Sequence, residues 1–355
     1  MRKTTKQLIA ISIIPQYFII KWLSLYPDVI EKYYSNGFYQ YSSKFFRFVF
    51  GWFPFSIGDF LYLFAIIFGL RWLYKNRRRI IQDTKSWLTD VLSVVSILYF
   101  AFHLLWAMNY YRLPLHKNLG LEADYTTEQL VSTTKKLIEK SNEIHSNIAR
   151  NDSLKVTIPY DENNILNMIA DGYDNLKKDF PDLKYNTKSL KKSLFSYPLT
   201  YMGFSGYLNP LTNESQIDGL IPTYRFPTTA SHEIAHQLGY AAENEANFIG
   251  FLAATNHDNI YFKYSGYTFG LRHCLNEIYM RDEALYEELV ETVNPGILKN
   301  YKEVRDFWEA HQNPFEPFFK IFYNGFLKAN NQDKGMESYS YVVALLVNYF
   351  ENTNL

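Results

Sequence analysis

The chain has 355 residues, 36 Lys/Arg against 36 Asp/Glu, and is 47% apolar and 18% aromatic. That length supports one large or two smaller domains with a real core, the composition excludes a disordered chain, and zero net charge leaves no global footprint for nucleic acid. A single cysteine, Cys274, excludes an internal disulfide framework and a multi-cysteine metal site, so any metal must be held by His and carboxylates.

The averages hide a split. Residues 1–110 carry 13 Lys/Arg and 5 Asp/Glu, whereas 111–355 carry the remaining 23 and 31. A basic, apolar front part thus precedes an acidic, ordinary-looking one. Three apolar stretches fall in the first part, Gln7–Leu25, Phe53–Tyr74 and Leu88–Met108. Each is close to the ~20 residues a helix needs to cross a bilayer, and Tyr and Trp crowd their flanks. Three buried helices of a soluble core would not call for the cluster Lys75–Arg79 directly after the second stretch. The positive-inside rule puts that loop in the cytoplasm, with Arg2, Lys3 and Lys6 beside it; Lys32, Lys44 and Arg47 in the first loop weigh the other way without reversing it. The expectation is a membrane domain of three transmembrane helices at 1–110, N-terminus cytoplasmic, in the inner (cell) membrane. A soluble, periplasmic domain then follows at 111–355.

In that second part, Thr126–Arg150 and Asn163–Phe180 have apolar residues at helical spacing, the first with a Thr126 or Thr127 cap and the second ended by Pro181. Residues 190–224 read as short strands and turns, with Tyr207–Ile217 the best strand. From Pro227 to Phe350 the chain reads as mostly helical, broken near Gly239, Pro295, Pro314 and Asn330–Gly335. The fold class is therefore mainly α (α+β), with a small sheet.

The sharp motif is His232-Glu233-Ile234-Ala235-His236. Two His at i and i+4 share one helix face and reach one metal, while Glu233 projects beside it as a general base for metal-activated water. Thr228 and Thr229 are positioned to cap the helix, and Gly239 to end it. The plain alternative is two surface His on a soluble helix. A catalytic zinc needs a third protein ligand, and Glu243 and Glu245 are both candidates. They lie ~200° apart on a helix at ~100° per residue, so both cannot face one ion. Glu243 shares its stripe with the small residues Ala246, Asn247 and Gly250, which permit a close helix contact; Glu245 shares its stripe with Phe248, Ile249 and Leu252. This favours Glu243 and leaves Glu245 open, and Asn247 is placed to hold a His ring through its second nitrogen. Among Tyr264, Tyr267 and Tyr339, any of which could stabilise an oxyanion, Tyr339 ranks first. His103, His257 and His273 lack paired spacing; His257 is the nearest candidate for a fourth, site-closing ligand.

HEIAH followed by Glu243-x-x-x-Asn247 resembles the gluzincin arrangement, departing from it in Asn247 for Asp and in a gap of six residues after His236. HEIAHQLG is also similar to metzincins, but their third ligand would fall on Ala242, which binds no metal. Over nearly the whole chain, GFSGYLNPLTNESQI, FPTTASHEIAHQLGYAAENEANF and NGFLKANNQDKGMESYSYVV behind three apolar stretches resemble a family of Bacteroidota membrane proteins known as a domain of unknown function and regarded as zinc metallopeptidases. The resemblance implies a zincin-like, membrane-anchored, zinc-dependent hydrolase and lends no substrate.

The expected function is hydrolysis of peptide or protein substrates by a zinc metallopeptidase seated on the lipid bilayer, with no nucleic acid partner. Two alternatives stand beside it. One is a zinc hydrolase of non-peptide amides in the cell envelope; the other is a non-catalytic scaffold with a structural metal site.

Overall fold

The computed structural model describes residues 2–332 and 341–353. It is mainly helical with one three-stranded sheet. Among the described residues two helices are long and apolar enough to cross a membrane, Ile57–Asn76 and Thr84–Leu105. They match the second and third apolar stretches, shifted by a few residues. Each starts on a side-chain cap, Ser56 accepting from the Asp59 amide and Asp83 from that of Ser86.

Of the three expected spans, the first stretch does not form one continuous helix. Lys3–Leu23 is interrupted at Ser12 and turns by 98° into Pro27–Gly51, and these segments meet the requirements for a crossing only as a bent pair. Ser12, Gln16 and Lys21 dilute the apolar run, and Pro27 opens the next segment. Lys3–Leu23 packs along Thr84–Leu105 in the same direction. Lys6 Nζ meets Asp90 Oδ1 at 2.6 Å near one end, Ser12 and Gln16 meet Ser96 Oγ at 3.0 Å midway, and Ile20 joins the cluster around Trp106 at the other. Polar side chains inside an apolar helix pair thus satisfy one another.

The sheet is built from β1 (Leu190–Lys192), β2 (Gly206–Asn209) and β3 (Glu214–Ile217) in the order β1–β3–β2, with β1 parallel and β2 antiparallel to β3. The predicted strand Tyr207–Ile217 is therefore a hairpin, with Gly206 opposite Ile217 and Asn209 opposite Glu214. The predicted amphipathic helices form at Thr127–Ala149, with a capping box from Thr126 and Gln129, and at Glu162–Leu176, capped by Asp161. The motif helix is Phe226–Gln237, the acidic helix that follows is Glu243–Thr255, and a Phe-rich helix occupies Glu316–Ala329. Thr228 and Thr229 do not cap the motif helix. It begins at Phe226 with Pro227 in its first turn, and Thr228 Oγ1 instead pairs with Ser265 Oγ at 2.7 Å. Gly239, at φ +94°, turns the chain after it.

Buried polar contacts tie residues 1–110 to 111–355. Glu214 on β3 accepts from the Gly58 amide at 2.6 Å and the Ile57 amide at 3.2 Å, and pairs with Lys191. A carboxylate thereby satisfies the free N–H groups at the head of the first membrane helix. Asp59, in the same turn, accepts from the Leu194 amide at 2.7 Å, from Ser193 Oγ at 3.0 Å and from the Tyr207 hydroxyl. Arg112 Nε reaches Glu31 Oε2 at 2.9 Å.

Candidate metal centre

The motif helix and the acidic helix pack face to face. A Cβ added at Gly250 would lie 2.9 Å from the His232 backbone nitrogen, so the absence of a side chain there sets how closely the helices approach. At this contact His232 Nε2 lies 3.3 Å from Glu243 Oε2, and His236 Nε2 lies 3.8 Å from Glu243 Oε1. One ligand atom from each of the three residues falls within 4.8 Å of the others. Two ligands on a tetrahedral zinc, each about 2.0–2.1 Å from the ion, stand roughly 3.4 Å apart. The donor set and its spacing fit that ion.

Two of the three residues are held by further hydrogen bonds, His236 by the Tyr240 carbonyl and Glu243 by the Tyr323 hydroxyl. His236 Nδ1 donates to the Tyr240 carbonyl at 2.7 Å, which leaves the Nε2 lone pair on the side of Glu243. The expected hold of Asn247 on a His ring is not seen: His232 Nδ1 and Asn247 Nδ2 have no hydrogen-bond partner among the described residues, and His236 Nδ1 is taken by a carbonyl instead. Burial works to raise the pKa of Glu243, but hydrogen bonds from His232 and Tyr323 and the nearby His236 hold it at about 2. Burial lowers His236 to about 4, with His232 contributing; for His232 the same burial is outweighed by Glu243, and its pKa rises.

The Glu233 carboxylate lies against the backbone of β2 at Gly206. Burial raises it to about 8, and its Oε2 has no hydrogen-bond partner among the described residues. The β2 backbone passes so close that a Cβ on Gly206 would lie 2.7 Å from Glu233 Oε1. An unpartnered, buried carboxylate oxygen is rare in a folded chain; here it sits beside two metal-type histidines at the edge strand of the sheet.

Glu245, the other carboxylate candidate, is turned away. Its Oε1 accepts from the Leu115 amide at 2.6 Å. Burial raises it to about 7, against the pull of that amide and of Arg112. Of the tyrosines considered, Tyr264 is buried with its hydroxyl on Asn300 Oδ1, Tyr267 packs edge-on against Phe251, and Tyr339 lies outside the described residues. His257 contacts the Met168 carbonyl and the Asn259 amide, away from the cluster. His273 is half-buried beside Arg272 and Arg225, and His103 bonds the Tyr99 carbonyl.

Spacing alone did not reveal the supporting residues. Tyr323 Oη donates to Glu243 Oε1 at 2.7 Å. Trp106 Nε1 donates to the His236 carbonyl at 3.3 Å, Tyr39 Oη to the Gln237 carbonyl at 3.1 Å, and Arg112 to the Gly239 carbonyl at 3.0 Å. Together they satisfy the free carbonyls at the C-terminal end of the motif helix. Tyr39, Trp106 and Arg112 come from in and around the membrane part, more than 120 residues away in sequence, so no local pattern ties them to the motif.

No curated protein and no solved structure matches the chain. Residues 34–347, which contain the His232–Glu243 cluster and the elements that support it, match the family described as a protein of unknown function, DUF3810, and the chain belongs to that family.

Proposed function

We propose that the chain is a membrane-anchored zinc metallopeptidase with a zincin-like hydrolytic domain outside the cytoplasm. The observation that carries this reading is the convergence of His232, His236 and Glu243 beside an unpartnered, buried Glu233. The three converging residues would hold the ion, which would supply Lewis-acid polarisation of a scissile carbonyl and of water. Glu233 takes the proton of the attacking water and delivers it to the leaving amine, and a neighbouring cation favours the ionised carboxylate it needs. Tyr323 fixes the orientation of Glu243. β2, an edge strand next to Glu233, offers extended main chain for pairing with a peptide, which favours a polypeptide over another amide. The scaffold alternative needs a closed site, and His257, its fourth-ligand candidate, is engaged elsewhere.

The bent N-terminal pair supplies a third crossing in this reading. Lys6 pairs with Asp90 near the Lys75–Arg79 cluster, while Ile20 reaches Trp106 at the opposite end of the same helix. The N-terminus and the basic loop then lie on the cytoplasmic side of the inner membrane, and the metal centre on the periplasmic side. The deciding experiment uses the full chain. Glu233→Gln should retain one zinc and lose peptide hydrolysis by roughly 10²–10⁴-fold; a variant that turns over normally ends the hydrolase reading.

A further inference from the structure

The Phe-rich helix, Glu316–Ala329, carries Tyr323 on one face and, on the other, an apolar face that stays exposed among the described residues. Phe318, Ile321 and Phe322 are 69%, 71% and 78% exposed, and Phe315, one turn before Phe318, is 67% exposed. Scattered exposed apolar residues are ordinary, but a run of them on one helix face marks something that covers it. Lys328, two turns after Ile321 on the same stripe, is exposed too, with an aliphatic stem long enough to reach a polar boundary, while Lys320 pairs with Glu316 at 2.6 Å away from that face. That composition is the one found in helices that lie in a membrane interface.

The position of the helix names the occupant. Phe326 packs on Phe102, one turn before the end of the membrane helix Thr84–Leu105, with ring centroids 5.9 Å apart. Just before the helix, Asn313 Nδ2 donates to the Tyr201 carbonyl at 2.7 Å. Tyr201 belongs to the short helix Ser196–Met202, which directly follows the Ser193–Leu194 pair held by Asp59 at the head of the other membrane helix. The Phe-rich helix is thus attached to the same end of both membrane helices. The metal centre lies at this level too. The Trp106 ring, directly after the membrane helix, is 6.0 Å from the His236 ring, and Tyr207 of β2 stacks on Tyr62 of Ile57–Asn76 at 6.1 Å.

We propose that Glu316–Ala329 lies in the interface of the bilayer crossed by the neighbouring helices, with Phe315, Phe318, Ile321 and Phe322 immersed, and that the metal centre beneath it serves polypeptides held at that membrane surface. The substrate half rests on the metallopeptidase reading; the placement of the helix does not. Immersion of one face fixes the helix in height and carries Tyr323 with it, so the bilayer itself positions a side chain on Glu243. A soluble peptide must leave bulk water to reach the site, whereas a lipid-anchored chain already diffuses at its level.

The test uses the full chain in phosphatidylcholine–phosphatidylglycerol vesicles. Cys274 is buried and stays unlabelled. Spin labels on Phe322→Cys and, as a second probe of the same face, Ile321→Cys should collide with oxygen several-fold more often, relative to a water-soluble nickel chelate, than a label on Glu291→Cys. Equal ratios at all three positions overturn the placement. For the substrate, the zinc-loaded protein is given a mixed peptide pool with and without an acyl anchor. The anchored pool should be cut at least about tenfold faster, and this advantage should shrink in Phe318→Ser/Phe322→Ser while zinc content holds. Equal rates for the two pools, or an advantage untouched by the double substitution, overturn the substrate half. Cleavage of neither pool overturns the metallopeptidase reading and the substrate half with it, and leaves the helix placement to be judged by the spin labels.

Discussion

Tyr323 donates a 2.7 Å hydrogen bond to Oε1 of Glu243, the carboxylate whose other oxygen faces His232. The two residues are 80 positions apart, and the bond links the Phe-rich helix to the histidine cluster. Losing a partner of this kind typically costs 10–100-fold in metal affinity. Tyr323→Phe should therefore keep the fold and bind zinc about 10–100-fold more weakly in competition with a graded chelator. Unchanged affinity would show that the phenol does not orient the ligand.

Glu243→Ala and Glu245→Ala separate the two acidic candidates. Glu243→Ala removes one of three converging donors and should leave the protein metal-free after dialysis. Glu245→Ala should stay zinc-loaded but leave the buried Leu115 amide without its acceptor, a loss of about 1–3 kcal/mol. Zinc stoichiometry and thermal midpoints of both variants check this. The opposite pattern, with Glu245→Ala metal-free, would refute the assignment of Glu243.

Gly250→Ala probes the helix contact. The new methyl group would stand 2.9 Å from the His232 backbone nitrogen, which cannot swing aside as a side-chain tip can. Forced separation of the two helices should cost about 1–3 kcal/mol and weaken zinc binding together with stability. Gly325→Ala, where the added carbon meets nothing within 4 Å, is the control. It should be neutral or stabilise the helix by up to ~1 kcal/mol.

Lys191→Met tests the joint between the sheet and the first membrane helix. Glu214 is fully buried and paired with Lys191 while it accepts from the Ile57 and Gly58 amides. Removing the cation leaves an uncompensated buried carboxylate, a loss of about 3–5 kcal/mol. The full chain in detergent should unfold at a clearly lower temperature. The double variant Lys191→Met/Glu214→Gln should recover part of the loss.

Membrane topology has its own test. Reporter fusions after residues 80 and 115 should fall on opposite sides, with phosphatase active only after 115, and a cytoplasmic reporter at the N-terminus should agree with residue 80. An N-terminus on the same side as residue 115 would show that the bent pair does not cross.

The sequence by itself determined what depends on local periodicity. The i, i+4 spacing of His232 and His236 fixes a shared helix face, and the small stripe of Ala246, Asn247 and Gly250 identifies the side of the next helix that allows close approach; the structure brings Glu243 to the histidines on that side and turns Glu245 to Leu115. Hydropathy located the two clear membrane helices, because twenty apolar residues in a row are a local signal. Tertiary structure alone decided the rest. Lys3–Leu23 is laid along Thr84–Leu105 where Ser12 and Gln16 find partners on Ser96, a contact 80 or more residues away. Tyr39 and Trp106 hold the end of the motif helix from the part of the chain that reads only as a membrane anchor, Arg112 does so from just after it, and Tyr323, one tyrosine among 30, reaches Glu243. Such residues leave no mark in sequence, since a hydrogen bond between distant segments needs only a donor at the right place and imposes no spacing along the chain.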